Sequence, residues 1–148
     1  LLDILYLNTI IYLFNKKVRR RQMSLMMKYG PVVDLCRQLG TKELSTSEEV
    51  GGFKLNALAK TQYQKDILWD KIKEIGGEQP ADITADIKVE FTDYYHVHTV
   101  ERGDTLGAIS KQYLGNVGRY MEIFNLNRDQ LSNPDLIKIG QDLKIPFK

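Results

Sequence analysis

Between Ile83 and Phe91 every second residue is apolar: Ile83, Ala85, Ile87, Val89 and Phe91 alternate with Thr84, Asp86, Lys88 and Glu90. A strict period of two makes a strand with one dry face and one wet face, so another layer must cover the dry one. The preceding residues supply that layer. Ile67, Leu68, Ile72 and Ile75 recur at helical spacing. Thr61-Gln62-Tyr63-Gln64 is a capping-box signature before them, and Gly76-Gly77 is a stop after them. Trp69 borders the apolar stripe and is expected in packing. Upstream, Phe53, Leu55, Ala57 and Ala59 alternate with Lys54, Asn56 and Lys60, Leu58 being the exception. Gly51-Gly52 joins this strand as a hairpin to a weaker one over residues 42–48. Pro31 to Leu39 reads as a short helix, with Pro31 at its first position and Gly40 at C′. Val32, Leu35, Cys36 and Leu39 share its face, which makes Cys36 a small core hydrophobe. The order is α-β-β-α-β, helices on one face of a small sheet, an α+β layer.

A second pattern follows residues 92–95. His96 to Val100 reads as a strand and Glu101-Arg102-Gly103-Asp104 as a turn. Asp104 is placed as N-cap of a helix carrying Leu106, Ile109 and Tyr113. Leu114-Gly115-Asn116 breaks that helix, and Tyr120, Ile123 and Phe124 mark a second. Asn133-Pro134-Asp135 forms a loop, and Leu143 and Ile145 share a face of a last strand stopped by Pro146. The chain is therefore expected to hold two small domains, α-β-β-α-β followed by β-α-α-β.

The first residues differ from the rest. Leu1 to Phe14 is nearly all apolar, and Lys16, Lys17, Arg19, Arg20 and Arg21 follow. This run is short of the roughly 20 residues that a membrane span needs. Its charges lie after the apolar run, opposite to a secretory signal. The chain starts with Leu, and its first methionine is Met23. Arg19-Arg20-Arg21-Gln22 fits purine-rich codons just ahead of a start codon, so residues 1–22 are expected to be a non-native or untranslated leader. These residues hold five Lys/Arg and one Asp. The remaining 126 hold 16 Lys/Arg and 18 Asp/Glu, a net of −2. The basic balance thus belongs to the leader, and a nucleic-acid partner is not expected. The expected boundaries are 23–91, a linker at 92–95, and 96–148.

Two families share these patterns. Residues 29–91 resemble the BON domain, a bacterial α-β-β-α-β module, which implies phospholipid or partner binding. Residues 96–146 resemble a LysM domain. The resemblance rests on Thr99-Val100-Glu101-Arg102-Gly103-Asp104-Thr105-Leu106, Ile109, Tyr113-Leu114-Gly115, Ile123-Phe124-Asn125-Leu126-Asn127 and Ile137-Lys138-Ile139-Gly140-Gln141-Asp142-Leu143-Lys144-Ile145-Pro146. It implies binding of N-acetylglucosamine-containing glycans, peptidoglycan or chitin. The implied groove has one wall of Gly103, Asp104, Thr105 and Leu106, and another of Asn127, Pro134, Asp135, Leu136 and Ile137. The combination resembles the cytosolic BON–LysM potassium-binding proteins of bacteria. That implies a potassium ion as the alternative ligand, held by carbonyls around Thr92 to Tyr95 or in the glycine-rich turns. Cytoplasmic location is expected, the cell envelope being the alternative, and the protein is expected to be a monomer without a membrane span.

Other constellations carry less. A single cysteine excludes a disulfide framework and a cysteine zinc cluster. His96 and His98 share a strand face but lack a third ligand at metal spacing, and are expected to face solvent. Glu48-Glu49 reads as a charged hairpin turn, and Asp66 and Asp70 as a solvated helix face. The pair Glu101/Asp104 lacks the deep cleft that glycoside hydrolysis requires. No enzymatic activity is expected.

Overall fold

The computed structural model describes residues 2–148, with the side chains of residues 6–15 and 25–148. The chain divides into two compact units. The first comprises residues 1–59 and 65–88, the second residues 60–64 and 89–148.

The first unit has the expected element order: α1 (Leu2–Gln38), β1 (Lys42–Glu49), β2 (Gly52–Ala59), α2 (Gln62–Gly76) and β3 (Ile83–Val89). Its first helix is far longer than expected. It continues through Met23 and places Pro31 in its interior rather than at its start. A proline there removes one helical hydrogen bond, and packing on both sides of it sustains the helix. Leu25, Tyr29, Val32, Val33 and Cys36 are all buried on one face. The side chains of residues 6–15 are exposed. The helix ends as Gly40 predicts. Gly40 adopts φ +66°, its N–H donates to Arg37 O at 3.1 Å, and Thr41 N–H donates to Cys36 O at 3.0 Å. This double closure needs a left-handed residue at C′.

The sheet order is β1-β2-β3. β1 and β2 are antiparallel, with a register shift between Lys42 and Ser45. Glu43 at that shift has φ 52°, as a bulge residue can. At one end of β2 Phe53 N–H donates to Asp82 O, and past its other end Phe91 N–H donates to Lys60 O. β2 and β3 therefore run parallel, which requires the α2 crossover between them. Phe53, Leu55, Ala57, Ala59, Ile83 and Ile87 meet Leu68, Ile72 and the α1 face in one core, with Trp69 packed at its edge. Thr61 Oγ1 accepts Gln64 N–H at 3.4 Å, as the capping signature requires, and Gln64 Oε1 turns back to accept Lys60 N–H at 2.9 Å.

The second unit is β4 (His96–Thr99), α3 (Leu106–Leu114), a 3-10 turn (Val117–Arg119), α4 (Tyr120–Leu126) and β5 (Asp142–Ile145). This is the expected β-α-α-β order. β4 and β5 pair antiparallel, His98 opposite Leu143. Leu106, Ile109, Tyr113, Leu114, Ile123, Phe124, Leu131, Leu143 and Ile145 form its core. Among the described residues no helix is long and apolar enough to cross a membrane.

Candidate functional site

The second unit carries a groove of about 310 Å³ between the start of α3 and the loop before β5. Local sequence chemistry builds each wall. Gly103 takes φ +92° in the turn after β4. Asp104 then folds back so that its Oδ2 accepts Glu101 N–H at 2.8 Å. The N-cap of α3 is Thr105 and not Asp104: its extended backbone lets Oγ1 accept Ala108 N–H at 3.1 Å. Asp104 is instead committed to the turn and to His98, whose Nε2 lies 2.8 Å from Oδ2. Those two hydrogen bonds, from the Glu101 amide first and His98 second, hold its carboxyl below the usual carboxylate range. On the opposite wall Asn133 Oδ1 accepts Asp135 N–H at 2.9 Å, an Asx turn that sets Pro134 and Asp135.

The structure gathers Asp104, Thr105, Leu106, Pro134, Asp135 and Ile137 around this groove, with Gly107, Val117 and Tyr120 as further lining. The last three were not legible as site residues. Val117 and Tyr120 come from the 3-10 turn and the start of α4, where Asn116 Oδ1 accepts Gly118 N–H and shapes the turn. A Cβ at position 107 would lie 3.1 Å from Val117 Cγ1, so the glycine lets these two elements close on each other.

Three expected site residues fall elsewhere. Gly103 shapes the turn without lining the groove. Leu136 is 64% exposed and lies off the lining. Asn127 is fully buried, and its amide is fully used by the fold. Nδ2 donates to Ile123 O at 2.7 Å and to Lys144 O at 2.8 Å, while Oδ1 accepts Lys144 N–H at 2.8 Å and a weaker contact from Gln130 Nε2. A ligand cannot reach it. The pattern of Asn127 with a later Gln141 is a scaffold signal, since Gln141 Nε2 donates to Gln130 Oε1 and Gln130 Nε2 donates to Asp142 O.

The two histidines do not face solvent as expected. His96 packs its ring on Tyr63 at 4.3 Å and on Tyr113 at 5.1 Å. Burial, aided by the charges of His98 and Lys60, lowers its pKa to about 4. His98 lies between Asp104 and the Tyr113 hydroxyl, the latter 3.1 Å from Nδ1. Burial pushes Tyr113 up to about 12, with Tyr63, Asp104 and Glu101 adding to the effect. Among the described residues no three His, Cys, Asp or Glu side chains converge as a metal site. Glu49 pairs with Lys54 at 2.7 Å. The Tyr95 carbonyl already accepts Tyr63 N–H at 3.1 Å.

Residues 98–146 match the family model described as LysM domain. The chain is similar to the potassium binding protein Kbp of Escherichia coli O6:H1, with 53% identity over 49 residues of the LysM region, covering 33% of each chain. It is 46% identical over 50 residues to an uncharacterized protein of Deinococcus radiodurans, covering 34% of this chain and 19% of that one. It is 42% identical over 52 residues to the spore coat assembly protein ExsA of Bacillus cereus, covering 35% of this chain and 8% of that one. The chain thus spans no more than a third of the length of these relatives. Residues 98–146 form a LysM domain.

Proposed function

We propose that the LysM unit is a non-enzymatic binding module for N-acetylglucosamine-containing glycan, with peptidoglycan as its ligand. The groove at the start of α3 carries this reading. An N-acetyl sugar presents a methyl group, an amide and hydroxyls. Leu106, Val117 and Ile137 offer apolar surface for the methyl, Tyr120 offers a ring edge or face, and Thr105, Asp104 and Asp135 offer polar partners. Asp104 is held ionised by its donors, the opposite of what a proton-donating acid in glycoside hydrolysis requires. A shallow groove of this kind binds weakly as one copy and gains from avidity on a repetitive polymer. Co-sedimentation with insoluble peptidoglycan tests the reading. Wild type pellets, and folded Tyr120→Ala and Val117→Asp variants pellet less. Failure of wild type to pellet removes the glycan reading, and equal pelleting of all three moves the site off this groove.

The similarity to a potassium binding protein favours a second reading, a saturable potassium response. Potassium prefers several oxygen ligands, and backbone carbonyls provide them. Trp69 fluorescence in potassium and sodium chloride at matched ionic strength separates a bound ion from general screening, which is equal for both. Potassium sensing suits the cytoplasm and glycan holding suits the cell envelope, so cell fractionation distinguishes the two.

A further inference from the structure

Asp104 sits in the groove wall with one of its two oxygens already committed. Oδ2 accepts Glu101 N–H and lies 2.8 Å from His98 Nε2. Oδ1 has no hydrogen-bond partner among the described residues. A carboxylate held only by the Glu101 amide can still pivot about that contact. A second donor approaching the same oxygen from another direction fixes the plane of the group and therefore the direction of Oδ1. An ionised carboxylate only accepts, so His98 Nε2 carries the proton in this pair. On its other side His98 Nδ1 lies 3.1 Å from the Tyr113 hydroxyl, which accepts from the protonated ring or donates to the neutral one.

The ring is well placed to act as a strut. His98 stands in β4, opposite Leu143 of β5, and its side chain is only 12% exposed. Tyr113 is buried and lies edge-on to the His98 ring at 5.5 Å. Tyr113 also meets Tyr63 edge-on at 5.2 Å. The hydroxyl that meets Nδ1 is thus itself held by packing.

We propose that His98 is a positioning residue for ligand binding: the chain Tyr113–His98–Asp104 orients Asp104 Oδ1 into the groove as a directed acceptor for a hydroxyl or amide N–H of the bound sugar. This rests on the glycan reading of the groove. Its chemistry is preorganisation, in which the acceptor is aimed before the ligand arrives and less side-chain freedom is lost on binding. His98 itself lies outside the groove lining. It acts through Asp104, and its effect follows the Nε2–H donor and not the aromatic bulk.

The test measures binding of a soluble chitooligosaccharide by calorimetry to the full chain and to His98→Leu, His98→Gln and Tyr113→Phe. The amide nitrogen of glutamine reaches a position close to Nε2 and keeps a donor for Asp104, whereas leucine keeps volume alone. His98→Leu is expected to bind about five- to tenfold more weakly, the size of one lost net hydrogen bond. His98→Gln is expected within about twofold of wild type, and Tyr113→Phe about two- to threefold weaker. NMR titration of the Asp104 carboxyl, which needs no ligand, is expected to move up in His98→Leu and to stay low in His98→Gln. If His98→Leu fails to fold, Tyr113→Phe decides, because it keeps every ring contact and removes only the hydroxyl. Wild-type affinity in His98→Leu, or in Tyr113→Phe in that case, overturns the proposal and leaves the groove reading intact. Equal losses in His98→Leu and His98→Gln also overturn it, since bulk or charge and not the donor would then matter. No binding by wild type overturns the groove reading and this proposal with it.

Discussion

Replacing Asn127 by alanine tests whether this residue serves the fold or a ligand. The side chain is fully buried and bridges α4 to β5. Its removal strands the Ile123 carbonyl and both the N–H and C=O of Lys144. Each buried polar group left unpaired costs about 1–3 kcal/mol. Lys144 lies in a strand whose backbone is partly open to water, so its groups recover some hydration. A total of about 3–4 kcal/mol follows from these costs. Stability at about 0.05–0.15 kcal/mol per residue leaves this unit, residues 60–64 and 89–148, with only about 3–10 kcal/mol. The substitution therefore removes a large part of the stability of the LysM unit, and its melting transition should fall by about 15–25 °C. Asn127→Asp should be as damaging, because a carboxylate cannot donate to two carbonyls. Thermal melts by circular dichroism, with amide hydrogen exchange of Leu143 and Lys144 as the local probe, measure both variants. A loss below about 1 kcal/mol together with weaker glycan binding would refute this account of Asn127.

Thr105→Ala removes the α3 N-cap and should cost about 1 kcal/mol, measured by urea unfolding followed at the LysM unit. Tyr120→Ala should weaken chitooligosaccharide binding severalfold with little change in melting temperature, because the ring is partly exposed at the groove. His96 is held neutral in the fold, with a pKa near 4 against 6.5 when unfolded. Its contribution is fully present above pH 6.5 and is lost as pH falls from 6.5 through 4. The full shift corresponds to about 3 kcal/mol, and partial solvent access of the ring reduces this to about 1–2 kcal/mol. Urea midpoints should therefore fall between pH 7 and pH 4.5 in wild type and fall less in His96→Phe. An equal fall in both would remove His96 as the cause.

Much of the fold was legible because periodicity and stop signals agree. The alternation at Ile83–Val89, the glycine closure at Gly40 and the Leu106, Ile109, Tyr113 stripe each specify one local geometry, and each is found. The length of α1 was not legible, because a proline ordinarily ends a helix and only tertiary burial of Tyr29, Val32 and Cys36 overrides it. The groove was half legible. Asp104, Thr105 and Leu106 lie together in sequence and in space, but Val117 and Tyr120 reach the site only through the packing of the 3-10 turn on Gly107. Asn127 shows the reverse error. A polar residue in a binding motif draws a functional reading, yet here its four hydrogen-bonding contacts all serve the chain. The histidines were misplaced for a related reason. Strand alternation assigns a face, but it does not reveal that Tyr63 and Tyr113 cover that face.

The central claim is that the groove at the start of α3 binds N-acetylglucosamine glycan. The most direct measurement is an NMR titration of the full chain with a chitooligosaccharide, following backbone amides. The account predicts saturable shifts at Thr105, Leu106, Gly107, Val117, Tyr120, Asp135 and Ile137, while Asn127 and the amides of the first unit stay still. Saturable shifts confined to other residues, or no shifts at millimolar sugar, would contradict it.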